Sequence, residues 1–244
     1  MAHHLGKLPA RAFLAVMLVG SALITASSLA YFDSDTLPPF VVEKLPVRFE
    51  SLWLVSLRVH VASASLGFPL CLLLMTPWIQ RRPTLHRRLG RLTGALVLFA
   101  LVPSGAVLAF DAKGGRVVTA GFLLSGAIVA VAMAGGIRAA RRRDLVSHRR
   151  AMRHVVGQMS VAVVSRAMIV GLDLAGVDPD LSYVVALWGP VLASAAVVEL
   201  ISSGPVFSGT RPFQPIGRIL REISQLALLV RARSVFRPLA RPGR

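Results

Sequence analysis

Two short basic stretches decide the fold of this chain: RRPTLHRRLGR at residues 81–91 and RAARRRDLVSHRRAMR at residues 138–153. Each stands between long apolar runs, and together with the two ends of the chain they hold 22 of its 28 Lys and Arg residues. The segments that alternate with them carry eight of the 11 carboxylates. Because Lys and Arg concentrate in the cytoplasmic loops of membrane proteins, this alternation predicts both a membrane location and an orientation.

Six apolar runs accompany these stretches, at residues 12–32, 52–79, 92–110, 117–137, 155–172 and 181–201. Each approaches the ~20 residues that cross the hydrocarbon of a bilayer. Lys7 and Arg11 precede the first run and place the N-terminus in the cytoplasm. The sequence therefore predicts an all-α, polytopic bundle of six transmembrane helices in a bacterial inner membrane, with both termini cytoplasmic. We expect residues 1–202 to form this domain, with a four-helix core at residues 52–172.

The first run has a second interpretation as a signal peptide. The small residues Ser28 and Ala30, near the end of the run, have the spacing of a cleavage site. The run is longer than the apolar core of most such peptides, which favours a retained helix.

A change of composition follows the sixth run. Gly and Pro residues predict a linker at 203–215, and apolar residues then recur at helical spacing over 216–236, with Arg218 and Arg221 on the opposite side. This pattern predicts an amphipathic helix on the cytoplasmic surface of the membrane, followed by a disordered basic tail at 237–244.

The composition limits the classes of partner. An apolar content of 55% and a mean hydropathy of +0.66 are typical of a chain embedded in lipid. A net charge of +17 would indicate nucleic acid in a soluble protein, but here the arginines stand at span ends. We therefore expect anionic lipids of the cytoplasmic leaflet as partners, together with other subunits of a membrane complex, and no nucleic acid.

Four ionisable residues fall inside the apolar runs, where charge is costly: Arg58, His60, Arg166 and Glu199. Arg58 and Glu199 stand near enough to span ends to reach the membrane interface. His60 and Arg166 lie at similar depth in the outer half, and we predict that they form a polar intramembrane site with the His60 ring within one water of the Arg166 guanidinium. The alternative is a polar contact between helices without a ligand.

The triplet His-Arg-Arg occurs twice, beginning at His86 and at His148, each time where a helix enters the membrane from the cytoplasm. Thr84 and Ser147 are suited to cap these helices. Positive charge at a helix start opposes the helix dipole, so a bound phosphate or lipid head group would relieve the conflict. The predicted contacts are Arg87, Arg88, Arg91, Arg149 and Arg150; the alternative is ordinary charge of a cytoplasmic loop.

Histidines on facing helices can ligate haem iron in a membrane bundle. The ligands available for a b-type haem are His86, His148 and His154, although all three stand among arginines. The sequence contains no Cys-rich metal motif, no HExxH, no nucleotide-binding glycine loop and no Gly-x-Ser-x-Gly. These absences disfavour an enzyme with a familiar hydrolytic or nucleotide site, and no other metal site is predicted.

From His60 to Arg166 the chain resembles a family of predicted bacterial membrane proteins with a conserved domain of unknown function. The residues that carry the resemblance are His60, Gly67, Pro69, His86-Arg87, Gly90-Arg91, His148-Arg149, Met152 and Arg166. Ala151 departs from the family pattern, which has Trp there, and His154 stands where Arg is usual. The resemblance implies a membrane location and no established activity.

Two classes of function remain open. The first is a non-enzymatic membrane component that binds a small ligand or lipid, or serves as an accessory subunit. The second is a redox protein with b-type haem or a quinone contact, and a small-molecule transporter is a further alternative.

Overall fold

The computed structural model describes residues 7–33 and 38–202, with side chains from residue 11 onward. The described residues belong to one compact unit and include no β-strand. The predicted linker at 203–215, the surface helix at 216–236 and the tail at 237–244 lie outside the described residues.

Six helical segments form the bundle, and each is long and apolar enough to cross a membrane. This confirms the predicted all-α, polytopic architecture. In chain order the helices are α1 (Lys7–Ser28, followed by a 3-10 turn at Leu29–Phe32), α2 (Pro39–Lys44), α3 (Glu50–Leu74), α4 (Pro77–Gln80), α5 (Pro83–Leu96), which continues through a π-helical turn (Val97–Leu101) into α6 (Val102–Phe110), α7 (Gly115–Arg141), α8 (Leu145–Leu174) and α9 (Pro179–Ser202). The short helices α2 and α4 do not span the bundle.

The third and fifth spanning segments begin well before their apolar runs. Pro83 opens α5, since proline is favoured at a first helical position, where no backbone donor is needed. Asp144 caps α8 by accepting a hydrogen bond from the Ser147 backbone N at 3.0 Å, and the Ser147 hydroxyl, together with this backbone N–H, lowers the pKa of Asp144. The prediction that Thr84 and Ser147 are the caps was wrong, because both lie within the helices. Both His-Arg-Arg triplets are therefore helical.

The bundle has two chemically different ends. At the basic end, the arginine-rich starts of α5 and α8 lie beside each other, and the end of α9 lies beside α8. At the acidic end, Lys44 donates to the Asp111 backbone O at 2.6 Å, and Lys113 pairs with Glu43 at 3.0 Å. The half of the bundle next to each end is named the basic half or the acidic half accordingly.

Helix α8 is the centre of the packing, since it contacts α1, α3, α7 and α9. It approaches α7 closely where Ala151, fully buried, faces Gly136: a Cβ on Gly136 would lie 3.1 Å from the Ala151 Cβ. Helix α9 packs on α8 as extensively as α7 does. The sixth span thus shares the core with the four helices that the sequence indicated.

Candidate functional site

A cavity of about 600 Å³ lies in the acidic half of the bundle, and all six spanning segments contribute to its wall. Most of the lining side chains are apolar, among them Trp53, Phe68 and Met159. Polar groups reach it from several helices: His60, Ser125, Gln158, Ser165, Arg166 and Tyr183. His60 and Arg166, which the sequence placed at equal depth, therefore line one cavity.

The His60 ring is held by the third spanning segment. Its Nδ1 lies 3.2 Å from the backbone O of Leu101 and 3.4 Å from Ser104 Oγ. A carbonyl can only accept, so Nδ1 carries the proton and Nε2 is left as an acceptor. Gly105 makes room for the ring, because a Cβ there would come within 2.9 Å of His60 Cε1.

The π-helical turn (Val97–Leu101) lies directly beside this ring. A π turn inserts one extra residue into a helix and shifts the backbone groups that follow it. Here the shifted segment includes the Leu101 carbonyl, which accepts from His60, and Ser104, which donates to the Ala100 carbonyl at 2.6 Å. The local backbone irregularity therefore positions the histidine.

Arg166 stands on α8, and its Nη1 donates to the backbone O of Ala162 at 2.9 Å. A guanidinium has five N–H donors, so this bond orients the group without saturating it. The predicted water-bridged contact between Arg166 and His60 stays a prediction: the contacts of His60 are made with the third segment and those of Arg166 with its own helix. What the two residues share is the cavity.

A buried charge cluster at the basic end escaped the sequence analysis. Glu199 on α9 accepts a hydrogen bond from Arg150, and its Oε1 lies 2.8 Å from His154 Nε2. Arg150 and His154 are 8% and 1% exposed. The sequence placed Glu199 near enough to the span end to reach the interface; its side chain is 23% exposed, and its carboxylate is held between Arg150 and His154.

Gln158 forms a second polar node on α8. Its Nε2 donates to the Val191 backbone O and to Ser194 Oγ, each at 2.9 Å, and Ser125 Oγ donates to its Oε1 at 2.9 Å. The side chain is 3% exposed and lines the cavity. A sequence signal for it existed, since Arg150, His154 and Gln158 recur every four residues and so share one face of a helix.

The two His-Arg-Arg triplets meet at the basic end. The rings of His86 and His148 lie edge to face with centroids 6.4 Å apart, and His148 Nδ1 donates to the Gly136 backbone O at 3.0 Å. His154 does not join them, since it contacts Glu199. Four of the five arginines proposed as anion contacts are exposed, and Arg150 is buried on Glu199.

Nothing in the described part of the chain gathers three or more His, Cys, Asp or Glu side chains into a metal-binding group. Cys71 is buried and its thiol donates to Met159 Sδ at 3.7 Å. The polar chemistry of the bundle thus consists of the cavity, the charge cluster and the histidine pair.

Fold and site together define a polytopic helical membrane protein with a polar-lined cavity inside its apolar spans. The chain belongs to the family described as "Predicted membrane protein (DUF2306)", whose model matches residues 57–202. This match includes the last span and Glu199, which lie beyond the predicted resemblance. Searches of the curated proteins and of the solved structures found no match.

Proposed function

We propose that this protein binds a small amphipathic ligand inside the membrane, in the cavity of the acidic half. One observation carries the proposal: a cavity of about 600 Å³ has mostly apolar walls, while His60, Gln158 and Arg166 present polar groups to it. Cavities of this size with a few convergent polar groups are typical of small-molecule sites.

The charges around the cavity indicate the chemistry of the ligand. Three cationic residues line the cavity: Arg166, Lys44 and Lys113. Among the described residues, one carboxylate residue lines it, Asp111. A ligand with an anionic head group gains charge-assisted hydrogen bonds there, and its apolar body fits against the aromatic and aliphatic walls. The Nε2 atom of His60 adds an acceptor for a hydroxyl group or a protonated head.

Photolabelling with a diazirine-bearing fatty acid tests this proposal in the purified, detergent-solubilised protein. We expect crosslinks in peptides of α3 and α8 that unlabelled fatty acid competes away. Arg166→Leu should weaken labelling about tenfold, since it removes a charge-assisted hydrogen bond. Arg58→Leu is the matched control, because Arg58 is an exposed arginine of the acidic half that does not line the cavity.

Labelling that spreads over all lipid-facing helices, or that is equal in the two arginine variants, would overturn the proposal. A carrier would bind the same ligand and also move it. Uptake of the fatty acid into proteoliposomes distinguishes a carrier from a binding component or accessory subunit.

We further propose that the membrane is a bacterial inner membrane and that the basic end faces the cytoplasm. The excess of Lys and Arg at that end supports this orientation. Single cysteines at Thr84 or Ser147 should resist a membrane-impermeant thiol reagent applied to spheroplasts, whereas one at Ala175 should react. The buried native Cys71 gives little background. The reverse labelling pattern would contradict the orientation.

The exposed arginines of the basic end are proposed to bind anionic lipid head groups. Arg87, Arg88, Arg91 and Arg149 carry this role, whereas Arg150 is engaged by Glu199. Native mass spectrometry should show phosphatidylglycerol retained in preference to phosphatidylcholine. Replacing the four arginines by Gln should abolish that preference, and an unchanged preference would contradict it.

Haem binding is the second candidate function, and one observation favours it: the His86 and His148 rings face each other across α5 and α8. The surroundings fit less well, because haem requires apolar cover and this pair stands among exposed arginines. An absorption spectrum of the purified protein decides between the candidates. A haem band lost in both His86→Ala and His148→Ala, but kept in His60→Ala, would establish haem binding, and a colourless, iron-free protein would eliminate it.

A further inference from the structure

Three polar residues form a buried line on α8. Arg150, His154 and Gln158 stand four residues apart, so their side chains share one face of the helix, and each is more than nine-tenths buried. Burying such groups in a membrane-spanning segment is costly and usually accompanies a function.

The line is connected to the basic end through Glu199. Its carboxylate contacts His154 Nε2 and Arg150, and its side chain is 23% exposed, so protons of the aqueous phase can reach it. On the other side of the ring, His154 Nδ1 is buried and has no hydrogen-bond partner among the described residues. The imidazole therefore has one nitrogen on the carboxylate and one directed elsewhere in the interior.

The line is connected to the cavity through Gln158. This residue follows His154 by one helical turn, a rise of about 6 Å, and its amide is fixed by Ser125 and Ser194 while it lines the cavity. A single water held by two or more polar partners would be enough to bridge a gap of one helical turn. Glu199, His154 and Gln158 thus lead from the basic end to the floor of the cavity.

We infer that this protein conducts protons between its basic end and the cavity, with Glu199 and His154 as the proton carriers and Gln158 as the residue that positions water between the ring and the cavity. This activity is additional to ligand binding and does not require a ligand. The cavity supplies the route to the acidic end, and His60 and Arg166 line that route.

Each transfer conserves protons. A proton from the cavity water bonds to His154 Nδ1 and forms an imidazolium. The Nε2–H bond then breaks as its proton passes to Glu199 Oε1, leaving a neutral ring and a carboxylic acid. The acid releases its proton to water at the basic end, and Arg150 stabilises the carboxylate that re-forms. The ring now holds its proton on Nδ1, and rotation about its side-chain bonds turns this N–H toward Glu199 and the bare Nε2 toward the cavity. In the next cycle the two nitrogens exchange roles: Nε2 takes the entering proton and Nδ1 releases its proton to the carboxylate.

The charged groups around the ring are consistent with this cycle. Glu199 is the partner on α9, and Arg150 and Arg153 flank the ring on α8 itself. On the neighbouring helices, Arg138 and Arg141 of α7 and Arg11 of α1 stand at the same end and are exposed to solvent.

Proteoliposomes containing the full chain and an entrapped pH-sensitive dye test the inference. A potassium gradient with valinomycin supplies the driving force, and protein-free vesicles give the background. We expect proton flux above that background, reduced at least about tenfold by Glu199→Gln and by Gln158→Leu, because each removes a step of the transfer. Glu199→Asp should retain flux, and Glu43→Gln, which removes an exposed carboxylate at the acidic end, should leave it unchanged.

Flux equal to that of empty vesicles in the wild type overturns the inference. Proton flux in Gln158→Leu equal to that of the wild type also overturns it. If Glu199→Gln fails to fold, Gln158→Leu is the variant that tests the inference. Photolabelling by the fatty acid is an independent measurement. Normal labelling with no flux would refute the proton path alone, and flux without specific labelling would refute the ligand proposal alone.

Discussion

Each half of the bundle contains a His and an Arg, but the hydrogen-bond partners of the two pairs differ in kind. At the basic end, His154 and Arg150 are both bound to one carboxylate, that of Glu199. In the acidic half, His60 contacts the Leu101 carbonyl and the Ser104 hydroxyl, Arg166 binds the Ala162 carbonyl, and a cavity of about 600 Å³ lies against both side chains. The same residue types thus form a closed, neutralised cluster in one half and an open, cationic site in the other.

Removing the Glu199 carboxylate should destabilise the charge cluster of the basic end, and we expect the largest fall in the free energy of unfolding from this change. Glu199→Leu leaves Arg150 buried without its counter-ion, so we expect the free energy of unfolding to fall by about 3 kcal/mol. Arg150→Leu/Glu199→Leu, which removes both charges, should recover more than half of this loss. Thermal unfolding in detergent measures both variants, and a double variant less stable than the single would contradict the assignment of the pair.

Filling the space beside His60 should damage the open half without touching the closed one. In Gly105→Ala the new Cβ would come within 2.9 Å of the His60 ring and must displace it, at a cost of about 1–3 kcal/mol. Fatty-acid labelling should fall as well. Gly126→Ala is the matched control, since Gly126 lines the same cavity and a Cβ there meets no atom within 4 Å. Equal behaviour of the two variants would show that the ring position is unimportant.

The exposed ion pair of Glu43 and Lys113 at the acidic end should have the smallest effect. Lys113 lowers the pKa of Glu43, so the contribution of the pair is present above the pKa of the unfolded carboxyl, about 4.3, and is lost as the pH falls through the folded value. Solvent screens both groups. We expect Glu43→Gln to change the unfolding temperature by less than about 1 °C at pH 7, and a larger shift would show that the loops at this end are mechanically coupled.

The sequence predicted the spans well because the apolar length needed to cross a bilayer is a strong constraint. It placed the starts of the third and fifth segments too late, since hydropathy detects where the apolar run begins and not where the helix begins. Pro83 and Asp144 set those starts, about two to three turns earlier. The histidines and arginines of both triplets are carried on these added turns.

The charge cluster could not be predicted in the same way. His154 and Glu199 are 45 residues apart on different helices, and nothing in a single sequence gives the rotation of one helix relative to the next. The four-residue spacing of Arg150, His154 and Gln158 is visible in the sequence. It indicates a shared helix face only once α8 is known to begin before residue 155. By contrast, the positions of His60 and Arg166 along their spans predicted that they lie at equal depth, and both line one cavity.

One departure from the family pattern has a physical reason in the packing. The pattern that this sequence resembles has Trp at the position of Ala151, and Ala151 is fully buried against Gly136, where α8 packs closely on α7. An indole at this position requires a wider separation of the two helices. Residues 136 and 151 therefore have to be considered together when members of the family are compared.

The π-helical turn beside His60 gives the third spanning segment an unusual response to a change in chain length. A π turn closes i→i+5 hydrogen bonds, so it fits one more residue into a turn than an α-helix does while the side chains on either side keep their faces. Deleting one residue between Val97 and Leu101 would therefore return this turn to regular α geometry with Ser104 and Gly105 still facing the imidazole. A single codon lost here would remove the irregular backbone beside His60 and leave the bundle assembled.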